Sequence, residues 1–296
     1  MKAVSPFWGC MIPLKYPQME RAVRYVMEKL GIELVDDSRY SCCPDPIYFK
    51  AGDRLTWMTL AARNISLAEE KNLDIVTVCS GCTATLCEVN HELRSDAGLQ
   101  DRINENLKDI DREYKGSIKV RHLVTMLRDD IGVDKIAASV THPLEGLKVA
   151  IHYGCHLLKP SAVMQVEDPL QPAILGQLIA ATGATPVEHH EYLMCCGKAC
   201  NTVDLALNMS YSVFDSVERS EADCLGLICP TCFDSFDVGQ LRVSRQFDRE
   251  FRIPVIYYFQ LLAIAQGATP EEVGIPYHKI MSDTLLEKLG APQPVS

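Results

Sequence analysis

The sequence lacks any long apolar run. No window approaches the roughly 18 unbroken apolar residues that a membrane-spanning helix needs, so no span is expected. Met1-Lys2 leads into a short mixed segment broken by Pro6 and Pro13, without the apolar core of a secretory leader. A cytoplasmic protein is therefore expected. Positive charge is also short: 29 Lys plus Arg stand against 39 Asp plus Glu, a net charge of −10. Nothing supplies a broad phosphate-neutralising surface, which excludes nucleic acid as the main partner but leaves room for a small basic pocket. No GxGxxG follows a predicted strand, so no flavin or nicotinamide is expected on this chain. No CxxCxxCxxxCP run occurs, which excludes a ferredoxin-type cubane module.

What the chain has in excess is cysteine, 13 in 296 residues. Structural disulfides are rare in the cytosol, so clustered cysteines there point to metal or redox chemistry. They also reveal an internal repeat. The first half reads Cys10, then Cys42-Cys43, then Cys79-Ser80-Gly81-Cys82; the second reads Cys155, then Cys195-Cys196, then Cys229-Pro230-Thr231-Cys232. Gly9 and Gly154 precede the lone cysteines.

The surroundings repeat as well. Residues 3–8 and 149–153 read as buried strands ending at the lone Cys, and residues 74–78 and 224–228 as strands ending at the CxxC. Residues 118–120 and 254–257 read as strands leading into apolar helical stretches that end at Leu127 and Ala265. Helical spacing marks Met19, Val23, Val26 and Leu30, and again Ile174, Leu175, Leu178 and Ile179. Strands alternating with helices predict an α/β fold of two pseudo-repeated, Rossmann-like parallel sheets. The expected division is 1–145, 146–268 and a Pro-rich C-terminal tail, 269–296, with a helical run near 285–289.

Ligands gather at the carboxyl ends of strands in such sheets, and helix N-termini there favour thiolates and their metal clusters. Five cysteines per half are thus expected to converge, each lone Cys and each CxxC lying where a helix begins. Spacing leaves three readings open. A thioredoxin-like dithiol leaves three cysteines per half unused. Structural zinc takes four ligands, making adjacent cysteines awkward and the fifth surplus. An iron–sulfur cluster accepts Cys thiolates and is wide enough for adjacent ones. Cys87, Cys200 and Cys224 fall outside the pattern and read as ordinary thiols.

The order of lone Cys, CC followed by Gly or Pro, and CxxC resembles the cysteine-rich CCG domain. Two tandem copies with little else resemble the B subunit of heterodisulfide reductases from methanogenic archaea. His152-Tyr153-Gly154-Cys155-His156 and Cys195-Cys196-Gly197 carry the resemblance most literally; Pro44 after Cys43 departs from it. The resemblance implies two non-cubane [4Fe-4S] clusters at the domain interface. One set would be Cys10, Cys42, Cys43, Cys79 and Cys82; the other would be Cys155, Cys195, Cys196, Cys229 and Cys232. It further implies two-electron reduction of the coenzyme M–coenzyme B heterodisulfide to two thiols.

That reaction needs protons, and His156 beside Cys155 is the expected donor, with His152 second. The substrate's sulfonate, carboxylate and phosphate need local cations, and Lys15, Lys159 and Lys198 lie close to cysteines in sequence. The resemblance also implies partners: a ferredoxin-like C subunit, a flavin-containing A subunit, and an upstream hydrogenase or formate dehydrogenase module in a soluble electron-bifurcating complex. The alternatives are a CCG electron-transfer subunit of a lactate-, glycolate- or succinate-type oxidoreductase or a sulfate-reducer complex, and a zinc-stabilised assembly subunit.

Overall fold

The computed structural model describes residues 2–290. Eight short strands form two sheets. The first holds β1 (Lys2–Phe7), β2 (Ile32–Leu34), β3 (Ile75–Thr77) and β4 (Val120–His122) in the order β2-β1-β3-β4. The second holds β5 (Lys148–His152), β6 (Thr185–Val187), β7 (Cys224–Leu227) and β8 (Val255–Tyr257) in the order β6-β5-β7-β8. All pairings are parallel. The chain is thus α/β, with one sheet written twice. In each sheet the order reverses between the first and third strands, which opens a crevice beyond their carboxyl ends. Cys10 and Cys79 follow β1 and β3, and Cys155 and Cys229 follow β5 and β7.

Burial explains which strands the sequence announces. β3 and β7 are buried throughout, as central strands of a covered parallel sheet should be, and so is the edge strand β8, which the helix packing of the seam covers. The edge strands β2 and β6 carry no such signal; three residues each, partly exposed and containing Glu33 or Pro186, they lack an apolar run. β4 also lies two residues later than expected. Its register against β3 pairs Ile75 with Val120 and Thr77 with His122. The tail supplies a helix, Asp283–Lys288, capped by Ser282; residues 291–296 of the expected tail lie outside the described residues.

The halves interlock reciprocally. The helix after β8, Tyr258–Ala265, is buried on every side and packs on Pro17–Lys29 of the first half. The helix after β4, Leu123–Met126, is likewise buried and packs on Ile174–Ala180 of the second. Fully burying a large aliphatic side chain is worth roughly 1.5–3 kcal/mol, so this seam holds the two repeats against each other. Among the described residues, no helix is long and apolar enough to cross a membrane.

Candidate functional site

Both crevices open into one cavity of about 170 Å³ between the repeats. All ten patterned cysteines line it, with Trp8, Asp45, Ser80, His156 and Lys198 among the remaining residues. Local structure puts each thiol there. Cys79 is the N-cap of Ser80–Ser95, Cys229 of Pro230–Phe236, and Cys10 of the short helix Met11–Lys15. Cys155 departs from expectation: turns follow it, and the next helix is Ser161–Met164. Pro160 accounts for this, because the residue before a proline is steered away from helical backbone.

The glycine before each lone Cys has a steric reason. Gly9 and Gly154 have φ of +68° and +71°, and an added Cβ would stand 2.7 Å from Cys82 Sγ or 3.3 Å from Cys232 Sγ. Only glycine lets the backbone approach so closely in that conformation.

The thiols form a single string. Each is influenced by the next, in the order Cys10, Cys42, Cys43, Cys82, Cys79, Cys229, Cys232, Cys196, Cys195 and Cys155. The order is palindromic: the second half mirrors the first. At its centre Cys79 Sγ and Cys229 Sγ lie 3.9 Å apart, both buried. At the ends Cys42 is exposed, while Cys10, Cys155 and Cys195 are half-buried.

Thiolate character is unevenly distributed along the string. Cys195 is held far below its ordinary value, first by the thiols of Cys155 and Cys196, with burial opposing and the amides of Gly197 and Ala199 assisting. The Gly197 N–H donates to Cys195 Sγ at 3.4 Å. Cys43 and Cys229 are also lowered, by Cys42 and Cys82 and by Cys232 and Cys79 respectively. Their neighbours Cys82, Cys79, Cys232 and Cys155 are raised, since each shares its proton with a lowered thiol. Among the described residues no group of three or more donors is arranged around one metal ion. The donor set fits a larger guest: ten thiols in two related fives, with the buried Ser80 hydroxyl on the cavity wall left without a hydrogen-bond partner.

The other expected site residues divide. His156 is half-buried and on the cavity wall. His152 is not on that wall. It is wholly buried at the end of β5, stacked edge-on against Phe236 at 4.7 Å, and burial holds its imidazole down at about 3. Its ring lies off the cavity lining, although sequence places it beside Cys155 as a second candidate donor. Lys159 is exposed and outside the lining, also against expectation. Cys87 donates to the Val120 carbonyl, Cys200 contacts Met209 Sδ at 3.2 Å, and Cys224 is buried in β7.

Lys15 and Lys198 share a partner that the sequence does not announce. Asp234, two residues past Cys232, takes the ammonium groups of both, Lys198 at 2.8 Å, and accepts the Tyr16 hydroxyl at 2.6 Å. Burial raises the Asp234 carboxyl, but the two lysines and Tyr16 outweigh it and hold it at about 2. Asp234 lies on the second repeat and Lys15-Tyr16 on the first, so one carboxylate ties the repeats together beside the cavity. Nothing in the sequence spacing points to it; an Asp two residues after a CxxC is ordinary until the fold brings Lys15 across.

Two parallel α/β repeats whose cysteines meet at paired switch points define a tandem cysteine-rich-domain protein. Residues 4–87 and 149–237 each match the cysteine-rich (CCG) domain. The chain is 39% identical to the B subunit of the ferredoxin/F(420)H(2)-dependent CoB-CoM heterodisulfide reductase of Methanosarcina acetivorans, over 98% of this chain and 97% of that one. It is 30% identical to the 8-methylmenaquinol:fumarate reductase membrane anchor subunit of Wolinella succinogenes, over 94% and 97%. The crystal structure of a hypothetical protein from Helicobacter pylori shares the fold, with a TM-score of 0.75 at 15% identity, covering 95% of this chain and 52% of that one. The chain belongs to the family of heterodisulfide reductase B subunits.

Proposed function

We propose that this chain is the disulfide-reducing subunit of a heterodisulfide reductase acting on the coenzyme M–coenzyme B disulfide. The observation that carries the reading is the convergence of ten thiols from both repeats on one cavity. Cys10, Cys42, Cys43, Cys79 and Cys82 would hold one non-cubane [4Fe-4S] cluster, and Cys155, Cys195, Cys196, Cys229 and Cys232 the other. Bound clusters of this kind supply single electrons and thiophilic iron. The balanced reaction consumes one disulfide, two electrons and two protons and releases two thiols.

The chain's own residues do the rest. The cavity walls enclose the disulfide between the repeats, the usual place for a small-molecule site. His156 on that wall would deliver a proton to a departing thiolate, because imidazole exchanges protons near neutral pH. Lys198 on the wall and Lys15 beside it would hold the anionic groups of the substrate as point charges, with Asp234 fixing both. Electrons would arrive from a ferredoxin-like C subunit, with a flavin-containing A subunit behind it and a hydrogenase or formate dehydrogenase upstream. A cytoplasmic, electron-bifurcating complex is the setting we infer; residues 1–145 and 146–268 would be its two CCG domains, with 269–296 a docking tail.

The 30% identity to a fumarate reductase subunit favours one second reading, an electron-transfer role in another oxidoreductase. Iron, acid-labile sulfide and zinc per chain, measured without oxygen and followed by an assay with the heterodisulfide, separates these readings. About eight irons with matching sulfide and thiol release at turnover rates support the proposal. The same iron without thiol release supports the second reading, and zinc without sulfide overturns both.

A further inference from the structure

The two fourth strands end beside the seam, and the side chain that ends one of them crosses it. In the second sheet Tyr257 ends β8, paired in register with Leu227, two residues before Cys229. In the first sheet His122 ends β4, paired with Thr77, two residues before Cys79. The positions are equivalent, although the side chains are unlike. Each is also the N-cap of the helix that packs on the opposite repeat.

Tyr257 lies fully buried and its hydroxyl donates to the Val78 carbonyl at 2.5 Å. Val78 is the residue before Cys79, in the other repeat. A buried phenol with one acceptor in reach spends its only proton there, and a buried hydrogen bond left unmade costs more than a made one contributes.

His122 holds the equivalent position but makes no such bond. Its Nδ1 accepts the Val124 N–H at 3.2 Å, which leaves the ring proton on Nε2. That Nε2 is buried and has no hydrogen-bond partner among the described residues. The Tyr257 hydroxyl therefore braces the backbone beside the point where Cys79 and Cys229 meet.

We infer that Tyr257 is a positioning residue, the second repeat's last strand fixing the backbone that carries the first repeat's CxxC. The seam is then more than a packing surface. It sets where Cys79 stands relative to Cys229. A shift in the second repeat is passed to the thiols of the first.

The experiment compares the full, metal-loaded chain with Y257F. Phenylalanine keeps the ring and removes the hydroxyl. Hydrogen exchange followed by peptide mapping is the first readout. Y257F should speed amide exchange in the 75–83 peptide by about fivefold to tenfold, with a smaller change in its own repeat. The second readout is the set of midpoint potentials of the iron-loaded protein, which should move in Y257F at unchanged iron content; a merely structural residue would leave them in place.

Acceleration confined to the substituted repeat, or no acceleration in either, overturns the inference. The potential arm rests on the cluster reading of the proposed function. The exchange arm does not, so a chain that proved to hold no iron would still test the brace.

Discussion

Cys79 Sγ and Cys229 Sγ stand 3.9 Å apart across the seam between the repeats, although 150 residues separate them in the chain. The contact joins the two cysteine sets at their deepest point. Their outer members, Cys42 above all, are nearest solvent. Electrons or strain entering one set therefore meet the other within a van der Waals distance.

This arrangement makes the cysteines unequal. Cys229→Ser removes the lowered thiol at the seam, and Cys155→Ser an outer one. Each should lower iron per chain by about half and abolish disulfide reduction, as measured by iron analysis and thiol release. Turnover that persisted with half the iron gone would refute a mechanism needing both sets.

His156 shares the cavity wall with Cys155 and Cys195. His156→Gln should slow turnover by about 10²-fold with iron content unchanged. Unaltered turnover would take His156 out of proton delivery.

Asp234 holds Lys15 and Lys198 from opposite repeats. Asp234→Asn should lower stability by about 1–2 kcal/mol, because both lysines are half-exposed and stay hydrated. Lys198→Ala should raise KM for the anionic substrate about tenfold and leave kcat nearly unchanged, the mark of a binding contact. Melting and steady-state kinetics check the two.

Gly197 follows the second cysteine pair at φ +87°, and an added Cβ would stand 2.6 Å from the Ala206 carbonyl oxygen. Gly197→Ala forces backbone apart in the left-handed region, at a cost on the order of 2–4 kcal/mol. A drop in melting temperature, with loss of iron from the second set, is the expected outcome.

His278 packs edge-on against Phe233 at 4.9 Å, and burial holds its imidazole down at about 4. His189 is buried and lowered to about 4 in the same way. Unfolded imidazoles titrate near 6.5, so between pH 6.5 and 4 the unfolded chain binds more protons than the folded one. Stability is full above that window and declines through it, by up to about 3 kcal/mol for each residue. His278→Gln should flatten the fall of the denaturation midpoint between pH 6.5 and 4.5.

Much of this is legible in residue order. Cysteine spacing reveals the repeat because ten thiols at switch points cannot move without losing the site. The buried strands that end at Cys10, Cys79, Cys155 and Cys229 are visible as apolar runs, whereas β2 and β6 are too short and too exposed to carry one. Asp234 and Tyr257 are invisible for a different reason. Their partners, Lys15 and Val78, lie in the other repeat, and only the packing of Tyr258–Ala265 on Pro17–Lys29 brings such residues within reach. His152 ends its strand wholly buried, while Cys155 lies three residues further on in the turn that lines the cavity, so nearness in sequence does not place both on one wall.

The two cysteine sets are near mirror images, but the residues beside them are not. Lys198 stands two positions after Cys196, where Asp45 stands two positions after Cys43, and both line the cavity. Of these charged residues on the wall, the second repeat presents an ammonium group and the first a carboxylate, with the Lys15–Asp234 pair beside the cavity. The chamber therefore has a polarity that its sulfur framework lacks. A disulfide with arms of unequal negative charge would enter facing one way, its more anionic arm toward the second repeat, and a near-symmetric scaffold would treat its two halves as distinct.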